Sequence, residues 1–434
     1  MSTVNNKIIN NSIEKSQPQL TKKRPGFKIT KLGWWIPEEW DTVKIKDAAV
    51  VQTGLQKGAI KEGKKVSLPY LRVANVQDGH LNLSEIKYIE VLEDKVERYL
   101  LKKGDVLMTE GGDFDKLGRG TIWNDEIDNC LHQNHVFAVR TDSNILLPYF
   151  LNIFSSSEYG KHYFKLCSKQ STNLASINST QLKNFVVPIP TITEQTTIIT
   201  CLATWDKAIQ TLTKLIAQKE LRKKGLMQQL LTGKKRLLGF SGEWRLITFK
   251  DIYQSKKQKA GNEKFLVLSV TKDGIVSQAE YFKKEIASAD TSPYLIVEKG
   301  DMVMSGLNFW MGSIDVLEKF DVGIVSPAYK VFEIKKADID HLFMRYYVRS
   351  EEFLKALVGA SVQGASVVRR NLDKEALEEW AFKLPQYDEQ KLIAKVLQTA
   401  DTEIELLKTK LDKLKEQKKG LMQQLLTGKK RLIQ

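Results

Sequence analysis

The sequence has few of the residues on which catalytic and metal sites are commonly built, and it lacks the common short catalytic motifs. It contains five histidines and three cysteines in 434 residues. No GxSxG, HExxH or dinucleotide-binding GxGxxG is present, and TGKKR lacks the earlier glycine and the following Ser or Thr of a phosphate-binding P-loop. The Asn/Asp-Pro-Pro-aromatic signature of amino-methyltransferases is also absent. These absences favour a binding protein over a self-contained nuclease or methyltransferase.

Membrane spans, disulfides and a secretion signal are missing as well. No apolar run approaches the roughly 18 to 20 residues that a membrane-spanning helix needs. Cys130, Cys167 and Cys201 stand far apart, in odd number and without metal-ligand spacing, which indicates reduced thiols. The polar start of the chain has no hydrophobic signal core. We therefore expect a cytoplasmic protein with no metal site and no membrane partner.

The net charge is the most informative feature of the composition. Lysine and arginine exceed aspartate and glutamate to give a formal net charge of +15. A surplus of this size is typical of proteins with a polyanionic partner, of which nucleic acid is the most common. The alternative is that lysine-rich helix faces raise the charge for solubility alone.

The chain contains an internal duplication. The fifteen residues KKGLMQQLLTGKKRL occur at Lys223–Leu237 and again at Lys418–Leu432, which lies 195 residues further along the chain. The same register pairs Pro190 with Pro385 and extends to two further matches, Glu194-Gln195 with Glu389-Gln390 and Asp206 with Asp401. A period this long predicts two domains that each carry a helix, because solenoid repeats are much shorter.

Each duplicated segment carries a heptad pattern that predicts a long helix. Apolar residues recur in alternating steps of four and three, which is typical of a coiled-coil seam. The predicted seam residues are Ile198, Leu202, Trp205, Ile209, Leu212, Ile216, Ile393, Leu397, Ile404, Leu407, Leu411 and Leu414. Two seams of equal length predict an antiparallel helix pair with a pseudo-twofold axis. The alternative is two amphipathic helices that dock on separate cores.

The regions before the two helices have the pattern of mixed α/β domains. Short segments rich in β-branched residues, such as YLRVANV (Tyr70–Val76), lie between turn residues, and KGDVLMT in the first region resembles KGDMVMS in the second. We predict α/β (mixed α+β) domains of one fold joined by two long helices. The predicted boundaries are a flexible polar leader at 1–32, a first domain at 33–190, a central helix at 191–237, a second domain at 238–385 and a C-terminal helix at 386–434.

Polar loops at matching places in the two domains are the candidate DNA-binding elements. Lys and Arg neutralise phosphates, whereas Asn, Gln, Ser and Arg pair with base edges in the major groove. The candidate residues are Lys57, Lys64, Lys65, Arg72, Lys116, Arg119, Gln170, Thr172, Asn173, Lys256, Lys257, Asn308, Trp310, Gln363, Ser366, Arg369 and Arg370. The glycine-rich GGDFDKLGRG has the composition of a surface turn more than that of a phosphate cradle, and polar loops are also common without any ligand.

The duplicated helices resemble those of a known family. Glu-Gln at each helix start, the following Asp206 or Asp401, and the repeated KKGLMQQLLTGKKRL are similar to the central and distal regions of type I restriction-modification specificity subunits. The resemblance covers nearly the whole chain after the leader. In the domains it extends to YLRVANV, KGDVLMT and the QSTN segment, whereas the second domain has QGAS and the leader departs from the pattern.

The resemblance implies a non-catalytic subunit that recognises double-stranded DNA. Two target-recognition domains would read a bipartite, asymmetric target across a fixed gap. The subunit would join two methyltransferase subunits and two restriction/translocase subunits. S-adenosylmethionine, ATP and Mg would be bound by those partners, and this chain would bind no cofactor. The alternative function is a basic coiled-coil scaffold that spaces two protein-binding heads.

Overall fold

The computed structural model describes residues 24–30, 33–56, 58, 63–112, 117–170, 175–282, 287–366 and 369–432. The chain divides into two compact units, Met1–Thr211 with Asp412–Gln434, and Leu212–Leu411. Both divisions fall within the two long helices, so each helix contributes residues to both units. No helix of the described part of the chain has the length and hydropathy of a membrane span.

The first unit begins with a short hairpin and continues as an α/β domain. Its helices are α1 (Ile45–Ala48), α2 (Val96–Tyr99), α3 (Pro148–Ser156), α4 (Glu158–Cys167) and α5 (Ser179–Lys183), followed by the long α6 (Ile192–Leu230). Its strands are β1 (Phe27–Ile29), β2 (Trp35–Pro37), β3 (Asp41–Lys44), β4 (Ala49–Thr53), β5 (Lys65–Leu71), β6 (Lys87–Leu92), β7 (Val106–Thr109), β8 (Gly111–Gly112), β9 (Gly120–Ile122), β10 (Leu131–His132), β11 (Val136–Thr141), β12 (Lys169–Gln170), β13 (Ala175–Ser176) and β14 (Val186–Ile189).

The second unit has a similar order of elements, without counterparts of β1, β2 and β8 among the described residues and with one additional strand, β19. Its helices are α7 (Phe249–Ile252), α8 (Gln278–Tyr281), α9 (His341–Tyr347), α10 (Glu351–Gly359) and α11 (Lys374–Glu379), followed by the long α12 (Tyr387–Leu426). Its strands are β15 (Arg245–Thr248), β16 (Tyr253–Lys256), β17 (Leu268–Thr271), β18 (Gly274–Ser277), β19 (Leu295–Glu298), β20 (Met302–Ser305), β21 (Ile314–Val316), β22 (Val322–Val325), β23 (Tyr329–Ile334), β24 (Ser361–Ser366), β25 (Arg369–Leu372) and β26 (Ala381–Leu384).

A four-stranded antiparallel sheet forms the centre of each unit. The strand order is β4-β11-β7-β9 in the first unit and β16-β23-β20-β21 in the second. Alternate residues of β7 enter different cores, since Met108 packs with Phe150 of α3 while Leu107 packs with Trp123. The sheet is therefore buried on both faces, which explains why its strands have nearly continuous apolar sequences. The predicted common fold is confirmed.

The two sheets neutralise an equivalent buried aspartate in different ways. Asp105 and Asp301 each follow a Lys-Gly pair and accept a backbone hydrogen bond within the turn, from Lys102 and Glu298 respectively. Arg140 of β11 binds Asp105 through two hydrogen bonds of 2.8 and 2.7 Å. In the second unit the cation is Lys256 of β16, at 2.9 Å from Asp301. The turn has therefore been kept while its counter-charge moved to another strand.

The long helices pair in antiparallel fashion within each unit. In the first unit Asp206 accepts a hydrogen bond of 2.5 Å from Lys418, and in the second Asp401 lies 2.5 Å from Lys223. Each of the twelve predicted seam positions is buried or half-buried. Antiparallel pairing is confirmed, and both copies show it.

Capping residues define several of the helix ends. The segment from Pro148 to Cys167 forms two helices, because the Ser157 side chain accepts a hydrogen bond from the Gly160 amide and caps the start of α4. The first long helix begins at Ile192, and Thr191 caps it, because its hydroxyl accepts a hydrogen bond of 3.3 Å from the Glu194 amide. Gly233 and Gly428 follow the helices with φ of +69° and +63°, the left-handed conformation expected of a C-terminal cap.

Candidate nucleic-acid interface

The first unit brings two of the predicted DNA-binding loops into one small sheet. β8 of the glycine-rich loop pairs with β13, which pairs with β12 of the KQSTN segment. A Cβ atom at Gly111 would lie only 2.7 Å from the carbonyl oxygen of Ala175, so the close approach of the strands requires glycine there. The described ends of these two loops, which are separated by about 60 residues in the sequence, therefore lie in one sheet.

A histidine and a carboxylate border this small sheet. His135 Nδ1 lies 2.5 Å from Glu110 Oε2, and Glu110 directly precedes β8. The backbone of Glu110 also accepts a hydrogen bond from Ile177, just beyond β13. Glu110 and His135 were not among the predicted site residues, because a single histidine beside a strand gives no signal of its spatial neighbours.

The second unit joins its two candidate loops through an arginine and a tryptophan. The guanidinium carbon of Arg370 lies 4.5 Å from the ring centroid of Trp310, and Arg370 Nη1 donates a hydrogen bond of 3.0 Å to Ser361 Oγ. Among the described residues, Trp310 Nε1 and Arg370 Nε have no hydrogen-bond partner although both atoms are buried. The Asn308 amide, in the same loop as Trp310, donates to Ser305 Oγ. The stacked pair therefore has two N–H donors without a partner in the described residues, and the hydrogen bond to Ser361 orients the guanidinium group.

Two other predicted DNA-binding arginines have partners within their own domain. Arg119 donates to Gln77 Oε1 at 3.1 Å and to the carbonyl oxygen of Val73 at 3.2 Å. Arg72 donates through Nη2 to the carbonyl oxygen and the carboxylate of Glu85. These contacts hold the loop after β5, so both side chains support the fold whether or not they also contact DNA.

The predicted lysines fall into paired and unpaired groups. Lys64 and Lys65 form surface ion pairs with Glu93 and Glu90 across β5 and β6. Burial lowers the pKa of Lys256, but its hydrogen bonds with Glu298 and Asp301 outweigh that effect and leave the pKa raised. Lys257 is exposed. The Lys256 ammonium group is thus occupied by two carboxylates of the same domain, whereas its neighbour Lys257 is accessible to a ligand.

The remaining predicted site residues are described only in part. Lys57, Lys116, Thr172 and Asn173 lie outside the described residues. Gln170 lies on β12, Gln363 and Ser366 lie on β24, and Arg369 begins β25. The bulged hairpin of β24 and β25 places Gln363 opposite Arg370 in the backbone register. In each domain the described parts of two predicted loops therefore lie together, one loop following β7 or β20 and the other following α4 or α10.

The glutamines of the repeated Glu-Gln pairs at the helix starts connect each long helix to the domain that precedes it. Gln195, of the Glu-Gln pair, donates through Nε2 to the carbonyl oxygens of Ile145 and Pro190 and accepts from the Leu147 amide at 2.9 Å. Gln390 repeats the arrangement with Asp338, Pro385 and Asp340. The repeated Glu-Gln pair was visible in the sequence, but two of the three backbone groups that each glutamine binds are about 50 residues away in the chain.

Comparison with known proteins gives these sites a family context. The family model described as "Type I restriction modification DNA specificity domain" matches residues 37–221 and again 242–416. The putative type I restriction enzyme MjaX specificity subunit of Methanocaldococcus jannaschii is 27% identical over 438 residues, which cover 94% of this chain and 98% of the relative. The EcoKI specificity subunit of Escherichia coli is 28% identical over 31% of this chain and 29% of its own length.

Solved structures show the same fold. A chain from a structural study of complex assembly and conformational transition in the type I R-M system aligns with a TM-score of 0.59 at 14% identity, over 91% of this chain and 99% of its own. The HsdS subunit from Thermoanaerobacter tengcongensis aligns with a TM-score of 0.50 at 15% identity, over 91% and 98%. The chain belongs to the family of type I restriction-modification DNA specificity subunits and carries the DNA specificity domain twice.

Proposed function

We propose that this chain selects a bipartite, asymmetric DNA target for a type I restriction-modification complex. The main support is that two loops lie together at the same place in the common fold of both units, whereas the sequences of these loops differ between the units. Gly111, Gly112 and the strands β12 and β13 occupy this place in the first unit, and Trp310 and Arg370 occupy it in the second. One frame with two different loop sets would read two different short blocks of sequence.

The chain acts in this proposal by recognition alone. Within the described residues, no three His, Cys, Asp or Glu side chains come together as metal ligands would. Methylation and cleavage would be performed by two methyltransferase and two restriction/translocase subunits, which would bind S-adenosylmethionine, ATP and Mg. This division of labour is what the family membership implies for the chain.

The direct test is a base-resolution methylome of the host with and without the gene. We expect one motif, made of two short blocks around a fixed unspecified gap, to lose methylation when the gene is deleted. Exchange of residues 302–372 with those of a relative should change one block and leave the other unchanged. If no methylated motif disappears while the methyltransferase genes are intact and expressed, the proposal is wrong.

The surface around Gly225 and Gly420 is a candidate docking site for the partner subunits. Both glycines lie inside α6 and α12, where glycine costs about 1 kcal/mol relative to alanine. Apart from the helix's own backbone, none of the described residues comes within 4 Å of a Cβ built at either position. The helices neither end nor cross closely there, so the fold of this chain gives no reason for glycine. Close approach of a partner would.

Bulky substitutions test this docking site. Gly420→Met and Gly225→Met should raise the thermal stability of the chain, because methionine is a better helix former, and should reduce co-purification of methyltransferase subunits. Lys415→Met, at an exposed position about 140° around the same helix, is the control. Retention of the full partner complement in both glycine variants would exclude close approach at these positions.

A further inference from the structure

The second unit contains a lysine-rich cleft in which Lys256 and Lys257, predicted from the sequence to bind DNA, lie together with three lysines that were not predicted. Its volume is about 430 Å³, and it lies between β16, β23, β25 and the start of α11. Its lining includes five lysines and no carboxylate. The lysines are Lys256, Lys257, Lys259, Lys330 and Lys374.

The charge of the cleft is only partly neutralised by the protein. Lys256 is bound to Glu298 and Asp301, and Lys374 forms an exposed ion pair of 3.1 Å with Glu378. In the part of the chain that the structure describes, Lys257, Lys259 and Lys330 have no carboxylate partner. All three are exposed. Three cations with no counter-charge on one concave surface repel each other, and an anionic ligand removes that repulsion.

The walls of the cleft strengthen its attraction for anions. Pro293, Leu295, Pro327 and Phe332 supply apolar surface beside the ammonium groups, and Tyr329 adds a phenol ring. Low-dielectric walls concentrate the field of the lysines and reduce its screening by water. The site thus has the form of an anion-binding groove rather than that of a flat, solvated lysine surface.

The first unit has no such charge at the equivalent positions. Asp47 and Asp251 occupy the same position of the short helices α1 and α7, which aligns the strands that follow them. Lys330 aligns with Phe137, because Lys330 pairs with Met304 and Phe137 pairs with the equivalent Met108. The residues that stand in place of the five lysines are Gln52, Thr53, Leu55, Phe137 and Ser179. Phe137 is buried in the core, whereas Lys330 is exposed. The common fold therefore does not require the lysines.

The cleft adjoins the candidate DNA interface of the second unit. Lys330 pairs in the sheet with Met304, next to Ser305, whose hydroxyl holds the loop of Asn308 and Trp310. Leu372 lines the cleft and lies on β25 with Arg370, which stacks on Trp310. A duplex that contacts the stacked pair would thus have its backbone close to the lysines.

We propose that Lys257, Lys259 and Lys330 bind backbone phosphates of the target DNA. This proposal rests on the DNA-recognition function above and adds to it an asymmetry between the two domains. The second domain contributes sequence-independent, salt-sensitive phosphate contacts beside the loops that recognise bases. The first domain has neutral residues at the equivalent positions and does not contribute these contacts.

The test is the salt dependence of DNA binding by the assembled complex. The triple variant K257Q/K259Q/K330Q and the unchanged protein are each purified with their methyltransferase partners. Dissociation constants are measured over a range of salt concentrations for the cognate duplex and for a scrambled duplex. Each lost phosphate contact should reduce the slope of log K against log salt by about 0.9, which gives a total of about 2 to 3. Affinity for both duplexes should fall by a similar factor.

A control with the same change in charge separates the cleft from net charge. K335Q/K336Q/K383Q removes three lysines, two that directly follow β23 and one on β26, none of which lines the cleft. We expect its slope to remain near that of the unchanged protein. An unchanged slope in the cleft variant, or an equal decrease in the control, would overturn the cleft proposal. Absence of any preference of the unchanged complex for its target would instead contradict the proposed function.

Discussion

Arg236 donates two hydrogen bonds of 2.7 Å to the buried carboxylate of Glu389, 153 residues further along the chain. Arg431 repeats the contact with Glu194, to which it also donates two hydrogen bonds. In each unit the arginine follows one long helix and the glutamate begins the other. The arginine of each identical KKRL segment therefore connects the end of one long helix to the start of the other.

Removal of the Glu389 charge should destabilise the second unit. Glu389→Gln leaves Arg236 without its counter-charge in a partly buried position, at an expected cost of about 3 kcal/mol. Chemical denaturation of the purified chain measures the change. In a double-mutant cycle with Arg236→Gln we expect a coupling energy of about 1 to 3 kcal/mol. Additive effects of the two substitutions would show that the pair contributes nothing as a pair.

The long helices and their pairing were predictable because the duplication supplies two copies of one heptad pattern. The break at Ser157 was not, since a side-chain cap competes locally with a helical pattern that otherwise continues. The loops that form the candidate site were predictable from the sequence, but the contacts of their side chains were not. Nothing in the sequence separates Arg119, which binds Gln77 in its own domain, from Arg370, which stacks on Trp310. That difference depends on tertiary neighbours.

Gln390 should contribute strongly to stability although it carries no charge. Its side chain satisfies three backbone groups near the start of α9 and α12, and Gln390→Leu leaves buried polar atoms without partners. We expect a loss of about 2 to 4 kcal/mol, at 1 kcal/mol or more for each group. Gln398→Leu, at an exposed position of the same helix, is the control and should change stability by less than about 0.5 kcal/mol. Equal effects would contradict this role for Gln390.

His132 should make the first unit sensitive to acid. Its ring is buried, Nδ1 donates to the carbonyl oxygen of Val136 at 2.6 Å, and burial lowers its pKa to about 4. The unfolded chain binds this proton near pH 6.5, so stability is complete above that pH and is lost as the pH falls toward about 4.

The expected loss between pH 7 and pH 5 is about 2 kcal/mol. Denaturation at the two pH values measures it. His132→Asn keeps a donor near the Val136 carbonyl and cannot titrate, so its own pH difference should be smaller by that amount. His80→Asn, at an exposed histidine, should leave the difference unchanged. A pH difference that persists in His132→Asn would assign the effect to other groups.

The stacked pair of the second unit should determine specificity in only one block of the target. Arg370→Lys keeps the charge but loses the planar fork that pairs with a guanine, and Trp310→Ala removes the ring that orients it. We expect each variant to weaken cognate binding by about 1 to 3 kcal/mol. Discrimination should relax at one position of one block, whereas a phosphate contact would weaken all sequences alike.

Duplexes with single substitutions in each block, bound by the complex with its methyltransferase partners, separate these outcomes. Arg119→Lys is the comparison in the first unit, because Arg119 already binds Gln77 and Val73. Its substitution should lower the stability of the first unit more than it alters discrimination. If Arg370→Lys relaxes both blocks equally, or leaves discrimination intact, the stacked pair does not read a base, and recognition by the second domain must depend on the neighbouring residues of the β24–β25 hairpin.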